Sequence, residues 1–220
     1  GGLAESQLEA ATKALVERNS ELAQTIITGD TEVDELEQNI DAMAIRLLAL
    51  RNPVAADLRL VISGLKIASI LERVADYSAN MAKRVIALNQ APVLGPVSTV
   101  PRMSDLVRRM IHDTLSAYAQ GDAVLAREVW HRDQEVDQLY NSMFRELLTY
   151  MMEDPRNITG CTHLIFMAKN IERMGDHMTN IAEIIMYEVE GEAPKEPRPK
   201  GDKTSMTMLD SEELLSSAKD

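Results

Sequence analysis

The chain has 220 residues, room for one long or two small domains around a sizeable core. Aromatic residues make up 4% of it and glycines number ten, while Ala, Leu, Ile, Val and Met carry the apolar content. That balance disfavours a sheet and suits helix-on-helix packing, and a formal net charge of -12 argues against nucleic acid or anionic membrane surfaces as partners.

Taken in chain order, breakers separate successive helical runs. The first is interrupted at Asn19-Ser20, and the second ends at Arg51-Asn52-Pro53. A third is predicted from Val54 to Asn89, stopping before Ala91-Pro92 and Gly95-Pro96. These runs form one three-helix unit over residues 1–91, followed by a linker over 92–102. The order then repeats over 103–190. A helix from Met103 to Gln120 meets Gly121-Asp122, another reaches Glu153-Asp154-Pro155, and the last runs from Asn157 to Glu190. From Gly191 the composition changes: Pro194, Pro197 and Pro199 lie among charged residues, so 191–220 reads as a flexible tail. Within it, Asp210–Ala218 is a candidate short helix anchored by Leu214 and Leu215. Gly1-Gly2 in place of an initiating Met is the start expected of a fragment or a processed chain.

The repeat is more than a matching order of helices. Glu72-Arg-Val-Ala-Asp76, followed after three residues by Asn80, returns as Glu172-Arg-Met-Gly-Asp176 with Asn180 in the same place. On the middle run of each unit Asp30-Thr-Glu-Val-Asp34 returns as Asp133-Gln-Glu-Val-Asp137, and Pro53 as Pro155. A period near one hundred residues, present twice, describes a duplication and not a solenoid. The fold class predicted is all-α, two tandem antiparallel three-helix bundles.

Four-residue spacing places Glu72, Asp76 and Asn80 on one helix face, and Glu172, Asp176 and Asn180 on another. In the first copy that face continues the stripe of Leu58, Ile62 and Leu65, so the carboxylates are expected to be half-buried. Buried carboxylates need a cation, an Arg or several donors. Arg73, Arg173 and Lys66 are the ion-pair partners expected if no metal is involved. Antiparallel packing of the middle and last helices sets each D-x-x-x-D opposite an E-x-x-x-D, and four carboxylates facing one another without a cation are strongly unfavourable. Mg, Mn, Fe or Zn bound through oxygen would satisfy them. Two equivalent candidate metal sets follow: Asp30, Asp34, Glu72, Asp76 and Asn80, then Asp133, Asp137, Glu172, Asp176 and Asn180. Glu37 and Asp41 extend the first acidic face, where a solvated stripe is the competing reading. Their counterparts Tyr140 and Phe144 break that stripe.

Other residues carry weaker signals. His177 lies off the ligand arc and reads as a packing or exposed side chain, and His112, His131 and His163 lack the spacing of a zinc site. Trp130 and the methionines Met151, Met152, Met167, Met174 and Met178 read as packing. Cys161 is the only cysteine, so no disulfide can form within the chain, and a buried thiol suits a reducing cytoplasm. No apolar run approaches the ~18 residues of a membrane span, and no signal-peptide pattern opens the chain. A second stripe of Ile67, Val74, Met81 and Val85 is expected to serve a homodimer interface.

With the doubled E-R-x-x-D-x-x-x-N, the doubled D-x-x-x-D and the segment Pro53-Val-Ala-Ala-Asp57-Leu-Arg59, the chain resembles the PhoU family over nearly all its length to residue 190. The resemblance implies two tandem three-helix bundles, commonly dimeric, with carboxylate motifs that bind metal in some members. It further implies an adaptor between the ATPase subunit of a phosphate ABC transporter and a membrane sensor histidine kinase. Such a protein silences the phosphate-starvation response when phosphate is plentiful, in the cytoplasm and at the inner membrane only through its partners. Family members carry more residues ahead of the first bundle, so the first helix is expected to be short.

No nucleophile–base pair, phosphate-binding glycine loop or nucleotide motif is found, and the expectation is a non-enzymatic regulator without catalytic residues. The alternative is a ferritin-like di-metal protein for iron oxidation or storage. That class builds its site from Glu-x-x-His on helices of a single four-helix bundle, whereas the carboxylates here fall into two separate three-helix units. A purely structural helical module, with every carboxylate solvated or ion-paired, is the third reading.

Overall fold

The computed structural model describes residues 1–92 and 95–192, with positions 194 and 204. The expectations for the tail beyond residue 192, including a helix over Asp210–Ala218, fall outside the described residues. Among the latter there are six α-helices and no strand: α1 (Gly2–Val16), α2 (Ser20–Arg51), α3 (Ala56–Leu88), α4 (Thr99–Gln120), α5 (Ala123–Glu153) and α6 (Ile158–Glu190).

The two copies start their middle helices with the same chemistry. Asn19 Oδ1 accepts the Leu22 N–H at 2.9 Å to open α2, and Asp122 Oδ1 accepts the N–H groups of Val124 and Leu125 to open α5. Each oxygen satisfies donors that lack an intrahelical partner. Gly121 ends α4 in the left-handed region at φ 62°, where a Cβ would be strained. The turn between α1 and α2 is tied to the end of α3, because Arg18 Nη2 donates to the carbonyls of Asn89 at 2.9 Å and Ala91 at 2.7 Å.

One helix boundary differs from expectation. α4 begins at Thr99, four residues before Met103, and runs through Pro101. A proline in the first turn removes an N–H that would have no helical acceptor, so it opens this helix instead of preceding it.

Each unit folds as an antiparallel three-helix bundle, and the units pack through α1 against α4 and α3 against α6. These four helices make the inner layer, with α2 and α5 flanking it. A single apolar core runs through both units, from Leu8, Val74, Met81 and Val85 to Met110, Met143, Met174 and Met178. The equivalent residues Tyr77 and His177 stack on each other, with ring centroids 5.7 Å apart and planes 20° apart. Equivalent positions meet in this way only beside a two-fold axis, so the copies are related by a local dyad between α3 and α6.

The stripe assigned to a homodimer is used inside the chain. Ile67, Val74, Met81 and Val85 are all buried in the shared core. Conversely, Leu58 and Ile62 are exposed and Leu65 is only half-buried, so the face they share with Glu72 is the border of the bundle and not its centre.

Candidate functional site

The seam between α2 and α3 carries the first carboxylate set. Asp30 and Asp34 on α2 and Glu72 on α3 are half-buried, and Asp76 is exposed. Burial raises the Asp30 carboxyl above the ordinary range, and the charges of Asp76 and Asp34 raise it further, while Lys83 opposes them. Asp30 and Asp76 are within hydrogen-bonding reach. Glu72 is raised in the same way, first by burial and then by Asp76, Asp34 and Glu37, with Arg73 as a weaker offset. Five acids therefore converge here, since Glu37 joins the four predicted from the repeat. Asn80 is half-buried and its Oδ1 lies 3.4 Å from Lys83 Nζ.

The second set, between α5 and α6, is deeper. Asp133 is 1% exposed and Asp137 and Glu172 are each 3% exposed, while Asp176 is half-buried. Asp133 reaches this depth because position 175 is glycine: a Cβ there would stand 2.7 Å from Asp133 Oδ1. The first copy has Ala75 in that place, and Asp30 stays nearer the surface. Glu172 is paired with a lysine, Lys169, whose Nζ lies 2.9 Å from Oε1 and 5.0 Å from the centre of the Tyr140 ring.

Asn180 departs from its set. It is exposed and lines the groove between α3 and α6 with Lys66 and Glu183, whereas Asp133 and Asp137 belong to α5. Eight residues at 3.6 per turn carry Asn180 about 80° round the helix from Glu172, enough to leave the α5 seam for the facing unit.

Among the partners expected for bare carboxylates, Arg73 weakly offsets Glu72. Arg73, Arg173 and Lys66 are exposed. Lys169 was not singled out, although its position three residues before Glu172 is a spacing at which a helix brings two side chains together. His177 stacks on Tyr77, His131 meets Trp130 edge-on, and His163 faces Arg84 across α3 and α6. Trp130 is buried and donates from Nε1 to Glu183 Oε1 at 2.9 Å; Met167, Met174, Met178 and Cys161 are buried.

Among the described residues, no three His, Cys, Asp or Glu side chains stand in the geometry of a preformed metal cage. The first set is a concentration of like charge on half-buried side chains, with Asp76 exposed. Its donors, all oxygen, suit a hard cation by charge and chemistry. In the second set the ammonium of Lys169 already stands against Glu172.

The comparisons with known proteins agree with this architecture. The model of the PhoU domain matches twice, over residues 1–85 and 100–185. A Caulobacter vibrioides protein described as a phosphate-specific transport system accessory protein PhoU homolog is 49% identical over 203 residues, covering 92% of this chain and 88% of that one. A Xylella fastidiosa protein of the same description is 46% identical over 210 residues, covering 96% and 89%. The crystal structure of PhoU from Pseudomonas aeruginosa superposes with a TM-score of 0.84 at 40% identity, covering 87% of this chain and 92% of that one. For the phosphate transport system regulatory protein PhoU from Streptococcus pneumoniae the values are 0.79 and 31%, with 88% and 93% covered. Two matched domains, two copies of one carboxylate-bearing bundle and relatives alike over nine-tenths of the chain lead to one conclusion: this chain belongs to the PhoU family.

Proposed function

We propose that the chain is a non-enzymatic regulator of high-affinity phosphate uptake, an adaptor between the ATPase subunit of a phosphate ABC transporter and a sensor histidine kinase. The observation that carries this reading is the near-full-length likeness to phosphate-specific transport accessory proteins, at 49% identity over 203 residues. The acidic surface of the chain suits basic protein faces, and no helix among the described residues is long and apolar enough to cross a membrane. Attachment to the inner membrane would run through the transporter and the kinase.

The same proposal gives the first carboxylate set a cation. Asp30, Asp34, Glu72 and Asp76 would hold Mg, Mn, Fe or Zn, with Glu37 beside them; the bound ion would offset the burial, and after it the mutual repulsion, that raise Asp30 and Glu72. Its role is to brace α2 against α3, and no reaction is assigned to it. A ferritin-like centre draws carboxylates from four helices of one bundle. Each set here draws on two helices, which favours the adaptor.

Two measurements test the reading. Loss of the chain from its host should switch on phosphate-uptake genes in phosphate-rich medium, and the purified chain should associate with the ATPase subunit and the kinase. A normal phosphate response after deletion would sink the proposal.

A further inference from the structure

The two carboxylate sets descend from one repeat, yet two substitutions change what surrounds them. Glu37 in the first copy adds its charge to Glu72, while its counterpart in the second copy is Tyr140. Ser69 in the first copy corresponds to Lys169 in the second. An acid and a neutral residue have thus become a neutral ring and a cation, both beside the carboxylates.

The placement of Lys169 is specific. One helical turn before Glu172, its ammonium meets Oε1 at 2.9 Å while lying over the face of Tyr140 at 5.0 Å. Glu172 is 3% exposed, so loss of the Lys169 charge takes a cation away from a buried carboxylate, whereas the Lys169 side chain is 29% exposed. On the same seam, Asp133 fills the space left by the absent Cβ of Gly175. A metal ion entering this set would have to displace Lys169 or share the site with its positive charge. The first set has no such cation at position 69, and Lys83 and Arg73 only partly offset its five acids.

We propose that Lys169 is the resident cation of the second carboxylate set, which is thereby closed to metal, so that a multivalent ion enters only at the first set. The duplication has kept the motif twice and the metal function once. This rests on the metal reading given above for the first set.

The test is equilibrium binding of Mn2+ to the full chain after removal of bound metal, read as Mn2+ per chain by elemental analysis. Circular dichroism checks folding of each variant. In the wild type, Glu72→Gln/Asp76→Asn should abolish uptake and Glu172→Gln should leave it unchanged. Lys169→Ser should raise uptake about twofold, and adding Glu172→Gln to Lys169→Ser should return it to the wild-type value. Lys169→Arg, which keeps the charge, should behave as wild type. A loss of about half the Mn2+ in Glu172→Gln overturns the proposal, and that arm does not depend on Lys169→Ser folding. No gain in folded Lys169→Ser overturns it as well. If the wild type takes up no Mn2+, the metal reading of the first set fails; uptake by Lys169→Ser would still uphold the closed second set, and its absence would overturn that too.

Discussion

At the scale of single residues, the difference between Gly175 and Ala75 decides how deep an aspartate can sit. In the second copy a methyl group at position 175 would stand 2.7 Å from Asp133 Oδ1, closer than real contacts allow. Gly175→Ala should therefore push Asp133 out of a well-packed seam and destabilise the protein by about 1–3 kcal/mol, despite the better helix propensity of alanine. Ala75→Gly in the first copy meets no such overlap and should cost the ~0.5–1 kcal/mol of a mid-helix glycine plus about 0.8 kcal/mol for its buried methyl. Urea denaturation of both variants checks this. A Gly175→Ala loss below about 0.5 kcal/mol would mean that the depth of Asp133 has nothing to do with Gly175. The repeat itself pointed to position 175, since Gly replaces Ala between two otherwise matched residues, but only the neighbouring helix shows what the glycine makes room for.

At the scale of elements, the copies differ most in how their first helices cover the rest. α1 has 15 residues and α4 has 22, and both pack on 31–33-residue neighbours. On the second half of α2, Leu36, Ile40, Met43, Leu47 and Leu50 are exposed. In the second unit the residue matching Ile40 is Met143, which is wholly buried. Met143→Ala should cost about 2–5 kcal/mol, as loss of a packed core side chain does, whereas Ile40→Ala should cost below about 1 kcal/mol. Thermal melting of the two variants is the check, and a comparable loss at Ile40 would mean that this face is covered in solution. Periodicity alone could not separate the two positions, because it identifies the apolar side of a helix without telling whether another helix lies there.

At the scale of the whole molecule, the chain is one body built from two copies. The apolar core passes between them through α3 and α6, and Tyr77 stacks on His177 across the local dyad. Neither unit can open without exposing Val74, Met81 and Val85 or their partners, so unfolding should be a single cooperative transition. Trp130, the only tryptophan, belongs to the second unit, and circular dichroism follows all six helices. Fluorescence and circular dichroism should therefore give coincident denaturation curves. Separate transitions would mean that the units fold independently and that the shared core contributes little.

Sequence by itself determined what local periodicity and local chemistry control. The six helices, the duplication, and the register that aligns Asp30 with Asp133 and Glu72 with Glu172 are all written in residue spacing, because a helix fixes the relative direction of side chains a few residues apart. The resemblance to the PhoU family is carried by the same doubled motif, and the match of the PhoU domain over residues 1–85 and 100–185 establishes membership. Depth and partnership were decided only by the tertiary structure. Whether Ile67, Val74, Met81 and Val85 face a second molecule or the chain's own α6 depends on where a segment one hundred residues away packs. So do the burial of Asp133 against Gly175 and the exposure of Asn180 on the α3–α6 groove. The inequality of the two carboxylate sets has the same origin: Lys169 and Tyr140 lie on different helices, and they enclose Glu172 only once α5 and α6 are side by side.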